Sequence, residues 1–122
     1  MQTRGYLHRD IKPENILILT PPGTVLPAID TYRVCDFGFA IKSHDFSDQN
    51  IAGTASYASP KIRNKFEHAE IFIKGNNYRD DAYSLGITLI ETCILQTVEE
   101  NMPKKLLPLV CSRYGDKFAS LL

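Results

Sequence analysis

His8-Arg9-Asp10-Ile11-Lys12-Pro13-Glu14-Asn15 places a carboxylate, an ammonium and an amide within eight residues, and Asp36-Phe37-Gly38 adds a second carboxylate on a turn-forming triplet. Oxygen donors of this kind suit a hard divalent cation, and a lysine beside a carboxylate suits a transferred phosphoryl group. The two stretches together point to metal-assisted phosphate chemistry. Phosphoryl transfer from a nucleotide needs a group to hold the acceptor hydroxyl, oxygen ligands for the metal and a cation near the phosphate, and little covalent chemistry beyond that.

The surrounding elements follow from local pattern. Ile16-Leu17-Ile18-Leu19 is a short, wholly apolar run that reads as a buried strand, and Tyr32-Arg33-Val34-Cys35 is its natural partner. Between them, residues 20–31 hold three prolines and a glycine, which favours an exposed loop over a tight hairpin. Met1 to Tyr6 has room only for the last turn of a helix, with Gly5 suited to the left-handed residue that ends one. Residues 39–54 lack periodicity and read as a surface segment.

Ser59-Pro60 resembles a helix start, with serine as cap and proline in the first turn, followed by Lys61 to Phe66. The stretch Asp81 to Leu95 is apolar on nearly every face of a helical wheel, as for a helix inside a domain, and its polar start from Asn77 suits the positive end of the macrodipole. Pro103 to Val110 reads as a short helix limited by Pro108, and Asp116 to Leu122 as the beginning of another.

Composition sets the class. With 43% apolar and 23% charged residues the chain has the balance of a globular domain, and at 122 residues it fits one small domain or a piece of a larger one. Fourteen basic residues offset fourteen acidic ones, so no global field draws it to nucleic acid or to an anionic membrane. No signal-peptide pattern or membrane-length apolar run occurs, which leads to the expectation of a cytosolic or nuclear protein. Cys35, Cys93 and Cys111 are odd in number and widely spaced, consistent with reduced thiols rather than a disulfide framework or zinc site. His44 and His68 lack a second ligand at useful spacing.

The ordered motifs resemble the catalytic domain of eukaryotic protein kinases. His8-Arg9-Asp10 is similar to the catalytic loop, Asp36-Phe37-Gly38 to the metal-binding turn, Gly53 to Pro60 to the end of the activation segment, and Asp81 to Gly86 to the start of the central helix. The resemblance implies a mainly α chain with a short β-hairpin, a partial C-terminal lobe of the kinase-like α+β fold. It covers residues 1–122, with an activation segment over 36–60 and a central buried helix over about 80–95.

It also implies roles. Asp10 would orient the acceptor hydroxyl and take its proton, Asn15 and Asp36 would hold Mg2+, and Lys12 would sit near the transferred phosphate of ATP, as in serine/threonine kinases. Thr54 would hydrogen-bond Asp10 and Lys12. Arg9 would pair with a phosphate on the activation segment, Ser47 being the candidate for that modification. Asp81 would brace the catalytic loop, and His8 and Phe37 would pack together. The implied partner is a protein substrate with a serine or threonine acceptor.

Three departures stand out. Lys61 follows Pro60 where the family usually has a glutamate that pairs with an arginine, Tyr83 stands at a common tryptophan position, and Asn50 sits four residues before Thr54 where many kinases place the phosphorylated threonine. Ser59 before Pro60, by contrast, is reminiscent of NIMA-related kinases. Only seven residues precede His8, so the nucleotide-binding N-lobe, with its glycine-rich loop and strand lysine, is expected to be absent from this chain. The alternative to an enzyme is thus a catalytically inactive kinase-derived fragment, or pseudokinase, that acts as a protein-binding module. The chain alone is expected to bind ATP and magnesium very weakly, to have no measurable transferase activity and to be marginally stable.

Overall fold

The computed structural model describes residues 4–19, 23, 31–43, 50–68, 77–95 and 103–115. The chain begins with strand β1 (Tyr6–Leu7), passes through a 3-10 turn at Pro13–Asn15 into β2 (Ile16–Ile18), and continues with β3 (Tyr32–Val34) and β4 (Ile41–Lys42). A second 3-10 turn, Ala55–Tyr57, leads to helices α1 (Pro60–Glu67), α2 (Tyr78–Ile94) and α3 (Pro103–Tyr114).

Two antiparallel ribbons frame the loops between them. β2 pairs with β3 in the register Ile16 to Val34, Leu17 to Arg33 and Ile18 to Tyr32. The pairing is prolonged at both ends, by Leu19 N–H to the Thr31 carbonyl at 2.8 Å and Cys35 N–H to the Asn15 carbonyl at 2.9 Å. The hairpin was legible from its apolar run, but the buried setting expected for it is not found. Leu17, Ile18 and Leu19 are exposed, as are Tyr32 and Val34. A two-stranded ribbon buries a face only where another layer packs on it, and these five side chains stay open to solvent.

The second ribbon was not anticipated. β1 pairs with β4, Tyr6 facing Lys42 and Leu7 facing Ile41, so part of the segment read as irregular is a strand. Two-residue strands are too short to leave a period in sequence. Gly5, at φ 72°, makes the left-handed turn expected of it, and its carbonyl accepts from Ser43 N–H at 2.8 Å.

The helices form around α2. Its N-cap Asn77 accepts from Arg79 N–H, and Asp80 reaches back to Asn77 N–H, a capping box that starts the helix just ahead of the apolar run. It ends at Leu95 in the left-handed conformation. Ile87, Ile90 and Ile94 pack with Tyr57 and with Val110 of α3, flanked by Tyr83 and Cys111. The aromatic body of Tyr83 thus serves the core.

The expectation that α2 is buried all round is corrected. Ser84, Thr88 and Glu91 lie on the packed face, whereas Leu85 and Leu89 face outward at 41% and 46% exposure. The hydroxyls of Ser84 and Thr88 enter that face because each donates to the carbonyl four residues back, Asp80 and Ser84 respectively, leaving no unpaired donor.

α1 begins as expected, with Ser59 as N-cap and Pro60 in the first turn, and Ile62 packs with Ala58 in a smaller cluster beside Ile51 and Phe66. α3 departs from expectation by running through Pro108 to Tyr114. An interior proline forfeits one backbone hydrogen bond and crowds the preceding turn, a cost of about 3 kcal/mol. Docking offsets it. Val110 is fully buried, Arg113 Nη1 donates to the Ile94 carbonyl at 2.8 Å, and the Tyr114 hydroxyl donates to the Cys93 carbonyl at 2.5 Å. These two donors satisfy carbonyls that the end of α2 leaves open. The expected helix over 116–122 lies outside the described residues.

Candidate active site

The site is assembled where the 8–15 loop, the 35–39 turn and residues 50–58 converge on the first turn of α2. Asp81, in that turn, accepts His8 N–H at 2.7 Å and Arg9 N–H at 2.8 Å through its two carboxylate oxygens. The loop is therefore held through its backbone by a group more than 70 residues away. Arg9 adopts φ 69°, a conformation an L-residue takes at some cost, and Asp81 stabilises the amide exposed by it.

His8 is fully buried and its ring is spanned at both nitrogens. Asp10 N–H donates to Nδ1 at 3.3 Å, so Nε2 carries the hydrogen and donates it to the Cys35 carbonyl at 3.0 Å. The ring also meets Phe37, with centroids 5.1 Å apart and planes tilted by 59°. One side chain thereby fixes the loop relative to the 35–39 turn. Cys35, read as strand-buried, is half-buried and lies just beyond β3.

Asp10 is the hub. Its side chain is buried, and Oδ1 accepts the Thr54 hydroxyl at 2.7 Å, while Oδ2 lies 3.1 Å from Lys12 Nζ and 3.2 Å from Asn15 Nδ2. Lys12 Nζ also donates to Thr54 Oγ1 at 2.9 Å, closing a triangle of carboxylate, ammonium and hydroxyl. The contacts expected between Thr54 and both Asp10 and Lys12 are present. Asn15 Nδ2 further donates to the Asp10 carbonyl at 2.8 Å. Both of its neighbours are acceptors, which fixes the amide with its nitrogen toward Asp10 and leaves its oxygen as an acceptor.

Asp36 is exposed, at φ 58°, and one of its oxygens accepts Gly38 N–H at 3.2 Å within the turn. The backbone link from Cys35 to Asn15 brings the two expected metal-binding segments side by side. An amide oxygen and a carboxylate form a hard donor pair of the kind that accompanies phosphate oxygens around Mg2+, so these residues fit that ion. Among the described residues no group of three or more His, Cys, Asp or Glu side chains could hold a metal on its own.

Arg9 reaches toward the activation segment from below. Its Nε donates to the Phe39 carbonyl at 2.5 Å and Nη1 to the Asn50 carbonyl at 3.1 Å, gathering the two flanks of residues 40–49. Ser47 and His44 lie outside the described residues. His68 is exposed and hydrogen-bonds the Asn64 carbonyl, as a surface residue does.

Two functional contacts escaped the sequence. Gly53, at φ 102°, passes so close to the loop that a Cβ there would lie 2.2 Å from the Arg9 carbonyl oxygen. The Tyr57 hydroxyl donates to Glu91 at 2.5 Å, tying the segment after Thr54 to the middle of α2. A lone glutamate among Ile87, Ile90 and Ile94 was the available signal for the second. Burial, and then the neighbouring Glu91 carboxylate, push the Tyr57 hydroxyl above the usual phenol range.

That shift has a defined sign. The folded state holds the Tyr57 proton more tightly than the unfolded state, so the contribution is intact below the ordinary phenol value near 10 and is lost as pH rises beyond it. Absorbance titration at alkaline pH is expected to show one tyrosine ionising only with unfolding, and Tyr57→Phe to remove that late component. Ionisation of every tyrosine ahead of unfolding would contradict the buried contact.

Comparison with known proteins agrees with the geometry. The protein kinase domain family model matches residues 1–106. An Aurora kinase of Debaryomyces hansenii is 32% identical over 107 residues, covering 85% of this chain and 22% of that protein. A probable serine/threonine-protein kinase of Clostridium perfringens is 43% identical over 93 residues, covering 71% of this chain and 11% of that protein. Among solved structures, the CAK complex of Chaetomium thermophilum bound to ATP-gamma-S matches with a TM-score of 0.59 over 91% of this chain and 31% of that one. At 24% identity this last likeness shows the fold. The chain spans less than a quarter of the length of either curated relative.

Proposed function

The chain belongs to the protein kinase family, and from that premise we propose that it forms the catalytic side of a serine/threonine kinase site that transfers the γ-phosphate of ATP to protein hydroxyls. The observation that carries this reading is the triangle of Asp10, Lys12 and Thr54, closed at 2.7–3.1 Å, with Asn15 locked against it. The intact donor set speaks against the alternative of an inactive binding module.

In this reading Asp10 holds the acceptor hydroxyl through one carboxylate oxygen and takes up its proton as the new bond forms. Thr54 and Lys12 keep that carboxylate aimed, and Lys12 places positive charge beside the phosphoryl group in flight. Asn15 and Asp36 would hold Mg2+, which would supply positive charge to offset that of the phosphate. Lys12 and the serine/threonine kinase relative both support aliphatic hydroxyl acceptors over tyrosine. Arg9 would pair with a phosphorylated residue such as Ser47. A NIMA-related placement rests on Ser59-Pro60 alone. The absence of a long apolar helix among the described residues and the balanced charge fit a protein acting on other proteins in the cytosol or nucleus.

The metal assignment is tested with Mn2+ as a paramagnetic probe. Resonances of the Asn15 side-chain amide and of Gly38 N–H are expected to broaden together, and Asp36→Asn to abolish the effect at both. Broadening that ignores Asn15, or survives Asp36→Asn, would remove these two residues from the metal site.

A further inference from the structure

Asp80 and Asp81 are consecutive carboxylates in the first turn of α2, and each holds a different half of the site. Asp81 binds the backbone of His8 and Arg9. Asp80 Oδ1 accepts the Ser59 hydroxyl at 2.7 Å, and its Oδ2 accepts Asn77 N–H at 3.1 Å. Ser59 Oγ meanwhile accepts Ile62 N–H at 3.4 Å, so one buried hydroxyl caps α1 and donates to the capping residue of α2.

The contacts close a ring. It runs from Asp10 through the Thr54 hydroxyl, along residues 55–58 to Ser59, across to Asp80 and Asp81, and back through the backbone of residues 8–9 to Asp10.

We propose that Ser59 and Asp80 are positioning residues whose shared hydrogen bond sets Thr54 against Asp10. The charged acceptor makes this one of the stronger classes of hydrogen bond, and the ordered 3-10 turn at 55–57 transmits a fixed distance to Thr54. With the bond broken, residues 55–58 keep the Tyr57–Glu91 tie but lose the fixed end that sets their register. Misplacement is then read at Asp10, the far end of the ring.

This rests on the reading of Asp10 as the carboxylate that orients the acceptor, and the readout is chosen to need no phosphate transfer. In the full chain labelled with 13C, Ser59→Ala and Asp80→Asn are each expected to move the Asp10 Cγ and Thr54 Cβ resonances. The double variant is expected to move them no further than one single, and Ser59→Thr, which keeps the hydroxyl, to restore them. Amide hydrogen exchange should rise at residues 53–58 and stay unchanged at residues 87–94.

Unmoved Asp10 and Thr54 resonances, additive displacements, or a uniform rise in exchange through α2 would each overturn the proposal. The uniform rise would mark a purely structural contact. Coupling without phosphate transfer, once the chain is joined to a nucleotide-binding lobe, would sink the kinase reading alone, and transfer without the coupling would sink this one.

Discussion

With a nucleotide-binding lobe completing the cleft, Asp10→Asn is expected to lower phosphate transfer by about a thousandfold, within the range that positioned acid–base groups contribute. The change keeps the size of the side chain but replaces one acceptor oxygen with a donor. Oδ1 faces the Thr54 hydroxyl and Oδ2 faces two donors, Lys12 Nζ and Asn15 Nδ2, so the new amide nitrogen either meets two donors or forces the Thr54 hydroxyl to turn and accept from it. The loss of the base and the loss of its aim therefore coincide. Nucleotide affinity is expected to change far less, because the proposed metal and phosphate contacts lie on Asn15, Asp36 and Lys12. A loss of nucleotide binding as large as the loss of rate would show that Asp10 acts by holding the fold.

Gly53→Ala is expected to destabilise the chain by about 3–5 kcal/mol, the sum of a disfavoured backbone conformation and a steric overlap that the backbone must relieve. Alanine at φ 102° is strained in open space, and here the added methyl would meet the Arg9 carbonyl oxygen at 2.2 Å. Relief requires residues 52–54 and the 8–10 loop to separate. The displaced atoms are those that join Thr54 to Asp10, so activity should fall with stability. Urea unfolding of wild type and variant measures the effect, and a difference under 1 kcal/mol would mean that the approach of the two segments is looser than described.

How much of this was legible in sequence depended on the range of each interaction. The capped starts of α1 and α2 and the β2–β3 pairing rest on neighbours a few residues apart, and Ser59, Asn77 and the 16–19 run announce them. The meeting of Asp10, Lys12 and Thr54 spans more than 40 residues and was reached only through resemblance of ordered motifs. Periodicity alone could not have placed Thr54 there.

The misses have the same physical origin. An apolar wheel cannot say which face of α2 packs, because Ser84 and Thr88 satisfy their hydroxyls on the helix itself and enter the packed face while Leu85 and Leu89 stay outside. Pro108 reads as a stop until Arg113 and Tyr114 are seen to dock on the end of α2. The Ser59–Asp80 and Tyr57–Glu91 contacts join residues 21 and 34 positions apart, each pair composed of residue types that are common and individually uninformative.

The central claim is that the loop around Asp10 serves phosphoryl transfer to an aliphatic hydroxyl. It is tested most directly by joining the chain to a kinase nucleotide-binding lobe, incubating the product with γ-labelled ATP, Mg2+ and peptides bearing serine, threonine or tyrosine acceptors, and identifying the labelled residue, with Asp10→Asn in parallel. The account predicts label on serine and threonine that disappears in the variant. Label confined to tyrosine, label undiminished by Asp10→Asn, or no transfer to any acceptor would contradict it.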